Sequence, residues 1–276
     1  MQSRKVRIVS EAPRIERMRH ELRHRTLRVS RIERVAPRMA RIAFTGDDLQ
    51  GFTSLGFDDH VKLFFPPGSP DGSAADAAGG TTPIAAPEVR DFTPRKYDAQ
   101  AGELWIDFHL HARGPAALWA QRATVGQALD IAGPKGSSII HLDGIDCHVL
   151  IGDESALPAI SRRLEELPAS SRAIVLLELD HEDDKPQLGS RASLQMHTVT
   201  RSSRGAEPAH EIIRALRELQ LPSDRCFVWI AMESHGARAL RRYLRVERGI
   251  GGNWIKAAGY WQQGKSGRHE PVADES

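Results

Sequence analysis

Short apolar and polar alternations fill the first half of the chain, and unbroken apolar runs fill the second. The segments TLRVSRIERV (26–35), MARIAFTG (39–46), HVKLFF (60–65), EVRDFT (88–93), LWIDFHLH (104–111) and ALDIAG (128–133) are separated by turn signals. That texture predicts half-buried strands of a small antiparallel barrel or sandwich. From residue 148 the period changes. HVLIG, AIVLLEL, MHTVT, CFVWIAM and WIKAAGYW are runs that a parallel sheet buries on both faces. Helical spacing lies between several of them. Leu157, Ile160, Leu164 and Leu167 fall on one face, with Ser155 the expected N-cap, and Ile212, Ile213, Leu216 and Leu219 form a second face. HGARALRRYLRVERG (235–249) ends on a stop signal, Gly249. Strands alternating with helices predict an α/β layer. The chain therefore reads as an α+β two-domain protein. An antiparallel β-barrel spans 1–143, and a doubly wound α/β domain with a parallel sheet spans 144–276, joined near HLDGID (141–146).

Connections and charge refine this picture. Residues 66–88, PPGSPDGSAADAAGGTTPIAAPE, have the Gly, Pro, Ala and Ser content of a flexible surface loop, and HEDD (181–184) reads as a solvated acidic loop. Among 276 residues, 38 basic and 36 acidic side chains leave +2, so the whole chain is no nucleic-acid magnet. The arginine-rich start, residues 1–25, reads as a solvated arm or a first helix. It lacks the apolar segment of a secretory signal, and no run reaches the ~18 apolar residues of a membrane span. Cys147 and Cys226 are distant in sequence and lie in apolar runs, as buried free thiols do. A soluble protein of a reducing compartment, the cytoplasm, is expected.

Candidate chemistry sits in a few places. In VRDFTPRKYD (89–98), Arg90 and Phe92 share one strand face and Pro94 breaks the strand beside Thr93. A flavin requires a cation for its phosphate, a flat ring for the isoalloxazine and a hydroxyl for its redox nitrogen. Arg90, Phe92 and Thr93 supply those in order. An ordinary edge strand is the alternative at this point. His109 and His111 precede Gly114-Pro115, where a helix start would offer free N–H groups to a pyrophosphate. As a metal site, two histidines without a third partner are poor. GPKGSS (133–138), with Gly136, Ser137 and Ser138, either cradles phosphate or reverses the chain. VLIGDESALPAI has the form of the first strand-turn-helix of a nucleotide-binding sheet, with Gly152, Asp153, Glu154 and Ser155 in the turn. It lacks Gly-x-Gly-x-x-Gly, so a nicotinamide nucleotide must be held differently. Glu178 and Asp180 end the next strand, where an acid favours a ribose hydroxyl and hence NADH. Arg201 and Arg204, after the following strand, suit the phosphate of NADPH. No nucleophile elbow, P-loop or zinc spacing is present.

In this order and spacing, DDHVKLFFP (58–66), RDFTPRKYD (90–98), ELWIDFHLHARGPAALWA (103–120), ALDIAGPKGSS (128–138), IGDESALPAI (151–160), VWIAMESHGARALRRYLRVERG (228–249) and GYWQQG (259–264) resemble the siderophore-interacting proteins of the ferredoxin–NADP reductase superfamily. The resemblance covers about Leu27 to Gly264. It implies an FAD-binding barrel, an NAD(P)H-binding domain, and reduction of ferric siderophores that releases iron inside the cell. It implies that Arg90, Phe92 and Thr93 are the flavin motif, with Phe92 where the family usually has Tyr. It also places His111, Gly114, Ala116 and Ala117 near the FAD diphosphate. AMES (231–234) falls where the family has Ala-Gly-Glu, so Glu233 is expected at the nicotinamide and Met232 is expected to narrow that pocket. No side chain is given a catalytic role, since the flavin carries the chemistry. Lys62, Lys256 and Lys265 are the candidates for docking an anionic ferric complex. The resemblance also admits a ferredoxin as electron donor. The rival expectations are a general flavin reductase of the superfamily and a non-catalytic ferric-siderophore binder.

Overall fold

The computed structural model describes residues 12–67, 86–111, 114–201, 209–264 and 270–272. Lys265, Arg204 and most of the 66–88 connection lie outside them. The first half contains β1 (Ile15–Arg19), β2 (His24–Ala36), β3 (Met39–Thr45), β4 (Val61–Phe65), β5 (Glu88–Phe92), β6 (Lys96–Asp98), β7 (Glu103–His109), α1 (Pro115–Arg122), β8 (Ala128–Ala132) and β9 (Gly136–Ile140). Seven of these strands form one antiparallel sheet in the order β5-β4-β8-β2-β3-β7-β6.

The two edges of that sheet are neighbours in sequence. Only Thr93, Pro94 and Arg95 separate β5 from β6. A flat sheet of seven strands would hold its edges ~29 Å apart. Four residue steps reach at most ~14 Å. The sheet must therefore roll, and the Pro94 break is the seam where it closes. Alternation on β2 buries Leu27 and Val29 and leaves Thr26 and Arg28 outside. Helix α1 covers one end of the roll, with Trp119 ringed by Phe44, Phe65 and Phe108 at 5.7–6.2 Å between centroids.

The basic arm is corrected in part. Residues 15–19 are a strand, and β1 pairs antiparallel with β9, Ile15 opposite Ile140 and Arg19 opposite Gly136. β2 already begins at His24. Arginine-rich composition masked a strand that gains its stability from a partner far along the chain.

The second half contains β10 (Cys147–Gly152), α2 (Leu157–Glu166), β11 (Arg172–Leu179), β12 (Ser193–Thr200), α3 (His210–Glu218), β13 (Cys226–Glu233), α4 (Ser234–Val246), β14 (Ile255–Trp261) and β15 (Glu270–Pro271). The sheet order is β12-β11-β10-β13-β14-β15, parallel except for β15. The order reverses between β10 and β13, which makes the sheet doubly wound. Alternate residues face opposite layers. Val228, Ile230 and Met232 pack under α3 and α4. Phe227, Trp229 and Ala231 pack against α2 and against Met39, Phe57 and Ile140 of the first half.

Three local expectations change. Asp153, not Ser155, caps the turn into α2, because its Oδ1 accepts from the Ser155 N–H at 2.9 Å. Met232 is buried beneath α4 with its sulfur against Gly236, so it does not narrow a pocket. Asp184 of HEDD is buried and ion-paired to Arg38 at 3.1 Å rather than solvated.

Candidate active site

A cavity of about 570 Å³ opens between the rolled sheet and the carboxyl ends of the parallel strands. Its size falls within the ~300–1,000 Å³ of ligand pockets, and its place is where open α/β sheets bind ligands. From the first half it takes Arg90, Phe92, Thr93, His109, His111, Gly114, Ala116 and Ala117. From the second it takes Asp153, Glu154, Ser155 and Asp180. Twelve residues scattered over ninety positions thus line one space.

The seam explains the first set. Arg90 and Phe92 project from β5, and the chain leaves the strand after Phe92, so Thr93 turns into the same cavity. Arg90 pairs with Glu88 at 2.7 Å and stays four-fifths covered. The Phe92 ring rests on Phe108 at 4.7 Å, which fixes it. Thr93 is buried and lines the cavity together with Tyr260 of β14, so the two halves meet there. Arg162 of α2 donates to the Pro94 carbonyl at 3.0 Å and to the Ser54 carbonyl at 2.8 Å, pinning the seam.

Two observations test this space for a flavin dinucleotide. Gly114, at φ 99°, turns the chain into α1 without any side-chain cap, and the Leu118 N–H makes the first bond back to its carbonyl at 3.1 Å. The Ala116 and Ala117 N–H groups at that helix start suit a diphosphate. Nearby, His109 Nε2 is buried with no hydrogen-bond partner among the described residues. Burial, and then His111 at 5.7 Å between ring centroids, holds the His109 imidazole below its usual pKa; burial does the same to His111. Uncharged imidazoles beside uncapped amides fit a polar, phosphate-bearing ligand. Among the described residues no group of three or more His, Cys, Asp or Glu is placed to hold a metal ion.

The nucleotide side is dominated by Arg201. It meets Glu178 at 3.0 Å, Glu154 at 3.1 Å, Asp153 at 4.0 Å and Asp180 in a short ion pair, while its guanidinium lies 5.8 Å over Trp261. Burial works against its charge, and the carboxylates outweigh it and raise its pKa. Burial, with Asp153 second, pushes Glu154 up to about 7, and Arg201 opposes that shift. Burial also raises Glu178.

Several expected site residues are not in the cavity. Ser137 is buried between strands, and its hydroxyl contacts Asp59 at 2.6 Å and His20 at 2.7 Å. Gly136 faces Met18 so closely that a Cβ would sit 2.5 Å from its carbonyl. Gly136, Ser137 and Ser138 thus pair with β1 and do not line the cavity. Gly152 lets the 154–156 turn press on β13, since a Cβ there would lie 2.4 Å from Ala156 Cβ. Glu233 caps α4, accepting from His235 N at 2.6 Å and Gly236 N at 3.1 Å. Burial would raise Glu233, and those donors hold it below its usual range instead. Lys62 pairs with Asp91 at 2.8 Å and Lys256 with Asp58 at 2.7 Å, and neither lines the cavity. Lys265 lies outside the described residues.

Residues that sequence reasoning missed include Asp107, Phe108, Tyr260, Trp261 and Gln262. The aromatic pair at the end of β14 was the available signal, because a strand's carboxyl end is where an α/β sheet binds.

The comparisons agree with this geometry. A family model described as the siderophore-interacting FAD-binding domain matches residues 28–138, and one described as siderophore-interacting protein matches 145–264. The NADPH-dependent ferric-chelate reductase of Escherichia coli is 35% identical over 260 residues, covering 89% of this chain and 96% of that protein. The ferric vibriobactin reductase ViuB of Vibrio cholerae is 32% identical over 238 residues, covering 84% and 87%. The crystal structure of a siderophore utilization protein from T. fusca superposes with a TM-score of 0.80 at 33% identity, covering 92% of this chain and 98% of that one. The chain belongs to the siderophore-interacting protein family.

Proposed function

We propose that this chain is an FAD-dependent reductase of ferric siderophores that draws hydride from NAD(P)H. The observation that carries this reading is the convergence of Arg90, Phe92, Thr93 and the α1 start with Asp153, Glu154, Ser155 and Asp180 on one cavity. The first half, to about residue 143, is the flavin domain, and the remainder is the nucleotide domain. Bound FAD supplies a carrier that accepts a two-electron hydride and yields electrons singly to Fe(III).

The chain's own residues do the rest. Arg90 offsets phosphate charge, Phe92 offers its ring face, and the Ala116 and Ala117 amides cap the diphosphate. Thr93, on the cavity wall beside Tyr260, presents a hydroxyl that both donates and accepts. Asp153, Glu154, Ser155 and Asp180 shape the nucleotide side, with Arg201 balancing their charge. Among the described residues no helix is long and apolar enough to cross a membrane. The free thiols of Cys147 and Cys226 fit a reducing compartment and support iron release in the cytoplasm.

The test is to purify the protein with FAD and follow its visible spectrum anaerobically. NADH or NADPH should bleach the flavin bands, and ferric catecholate, hydroxamate or carboxylate complexes should restore them. A protein that takes up no FAD would overturn the reading. Rates with dyes or free flavins equal to those with every ferric complex would favour a general reductase. Full bleaching without a nucleotide, by reduced ferredoxin, would name a different electron source.

A further inference from the structure

Cys147 and Cys226 are 79 positions apart in sequence, yet they are directly paired on the central parallel strands. They open β10 and β13, and both side chains face the same core layer as Val149 and Val228. Neighbouring strands lie ~4.8 Å apart, inside the ~4.4–6.8 Å Cα window that a disulfide spans. The two residues stand directly opposite each other, and Cys226 Sγ donates to the Ser223 carbonyl at 3.1 Å. Their preceding residues, Asp146 and Arg225, form a partly exposed ion pair at 3.1 Å. Both sulfurs are buried, one residue along their strands from that pair.

We propose that Cys147 and Cys226 form a redox-active dithiol that a hydroperoxide converts into a cross-strand disulfide. The neighbouring Cys147 lowers the Cys226 thiol, and Cys226 together with burial raises that of Cys147, so in this directly opposed pair Cys226 is the nucleophile. Cys226 attacks the peroxide, the O–O bond breaks, and a sulfenic acid forms with release of water or alcohol. Cys147 then attacks that sulfur, the S–O bond breaks, and a second water leaves. Two thiols lose two protons and two electrons, and the peroxide takes them up.

The dithiol sits at the strand ends opposite the cavity, roughly 20 Å from Asp153 by strand rise. The modification thus leaves the cofactor pocket intact and closes a long loop of the unfolded chain, which stabilises the fold.

The experiment treats the purified full chain with hydrogen peroxide, then unfolds it, alkylates free thiols and maps peptides by mass. The expected product is a cross-linked pair of peptides carrying Cys147 and Cys226, lighter by two hydrogen atoms and reversed by dithiothreitol. Its unfolding midpoint in urea should rise and its FAD binding should not change. Cys147→Ser should yield an oxygen adduct on Cys226 without a cross-link. Two thiols that both remain alkylatable after peroxide would overturn the proposal. So would oxygen adducts on the wild-type chain with no cross-link.

Discussion

The indole N–H of Trp261 donates to Asp153 Oδ2 at 2.8 Å, tying the last strand of the parallel sheet to the turn after its first. The same carboxyl accepts from Glu233 N at 3.1 Å and, through its other oxygen, from Ser155 N at 2.9 Å. Asp153 is 1% exposed, so these donors offset the cost of burying its carboxyl group. Three elements that shape the cavity are hung from one side chain. Asp153→Ala would orphan three donors at ~1 kcal/mol or more apiece, so a loss of about 3 kcal/mol in urea unfolding is expected, with a shift in tryptophan emission. Trp261→Phe removes one donor only and should cost about 1 kcal/mol.

A cross-domain tie closes at the seam. Arg95 is buried, bonds Glu165 of α2 at 2.9 Å and lies 3.8 Å from Asp107. Asp107 is already held in a two-point pair by Arg41 at 2.7 and 2.8 Å. Removing Arg95 leaves Asp107 with one cation and Glu165 half in water. Arg95→Ala should therefore cost about 2 kcal/mol, less than the ~3–5 of a fully buried broken pair. Glu165→Gln should cost no more than ~1 kcal/mol. Equal losses in the two variants would contradict the asymmetry.

Gly114 takes a backbone angle, φ 99° with ψ 148°, that side chains avoid, and a Cβ would lie 3.3 Å from His111 Cε1. Gly114→Ala should lower stability by ~1–3 kcal/mol and weaken FAD binding as well, because the α1 start shifts. Isothermal titration of FAD beside a thermal melt separates the two effects.

Glu154 gives the pH dependence. Its folded pKa of about 7 lies above the ordinary glutamate value, so between about pH 4.5 and 7 the folded state holds a proton that the unfolded state has lost. Its contribution is complete below the unfolded pKa and is lost as pH rises through 7. The wild-type chain should therefore lose stability relative to Glu154→Gln as pH climbs from 5 to 8. His109 and His111, with lowered pKa values, act in the opposite sense in both proteins and cancel from the difference. Parallel melting curves for the two proteins across that range would disprove the buried ionisation.

Periodicity made the large features legible. The apolar runs at 148–152, 173–179 and 226–232 became the core strands of a doubly wound sheet, since burial on both faces leaves no polar break. The common placement of Arg90, Phe92 and Thr93 on the cavity wall was legible because a strand and a proline fix where those side chains go. What stayed hidden depended on distant partners. β1 looked like a charged arm because its pairing residues lie some 120 positions away. Ser137 looked available because nothing local announces Asp59 and His20. Lys62 and Lys256 looked free until Asp91 and Asp58 faced them. Arg201 shows the same limit, since its four acidic neighbours come from two different strand ends.

The central claim is that Arg90, on the cavity wall beside Phe92 and Thr93, secures FAD without supporting the fold. Its ion pair with Glu88 is partly exposed and worth little to stability, ~0–1 kcal/mol. The direct measurement is FAD affinity by visible absorbance for wild type and Arg90→Ala, alongside far-UV circular dichroism of both. The account predicts a yellow wild-type protein and a folded, nearly colourless variant whose FAD affinity falls at least tenfold. A folded variant that retains FAD as tightly as wild type would contradict it.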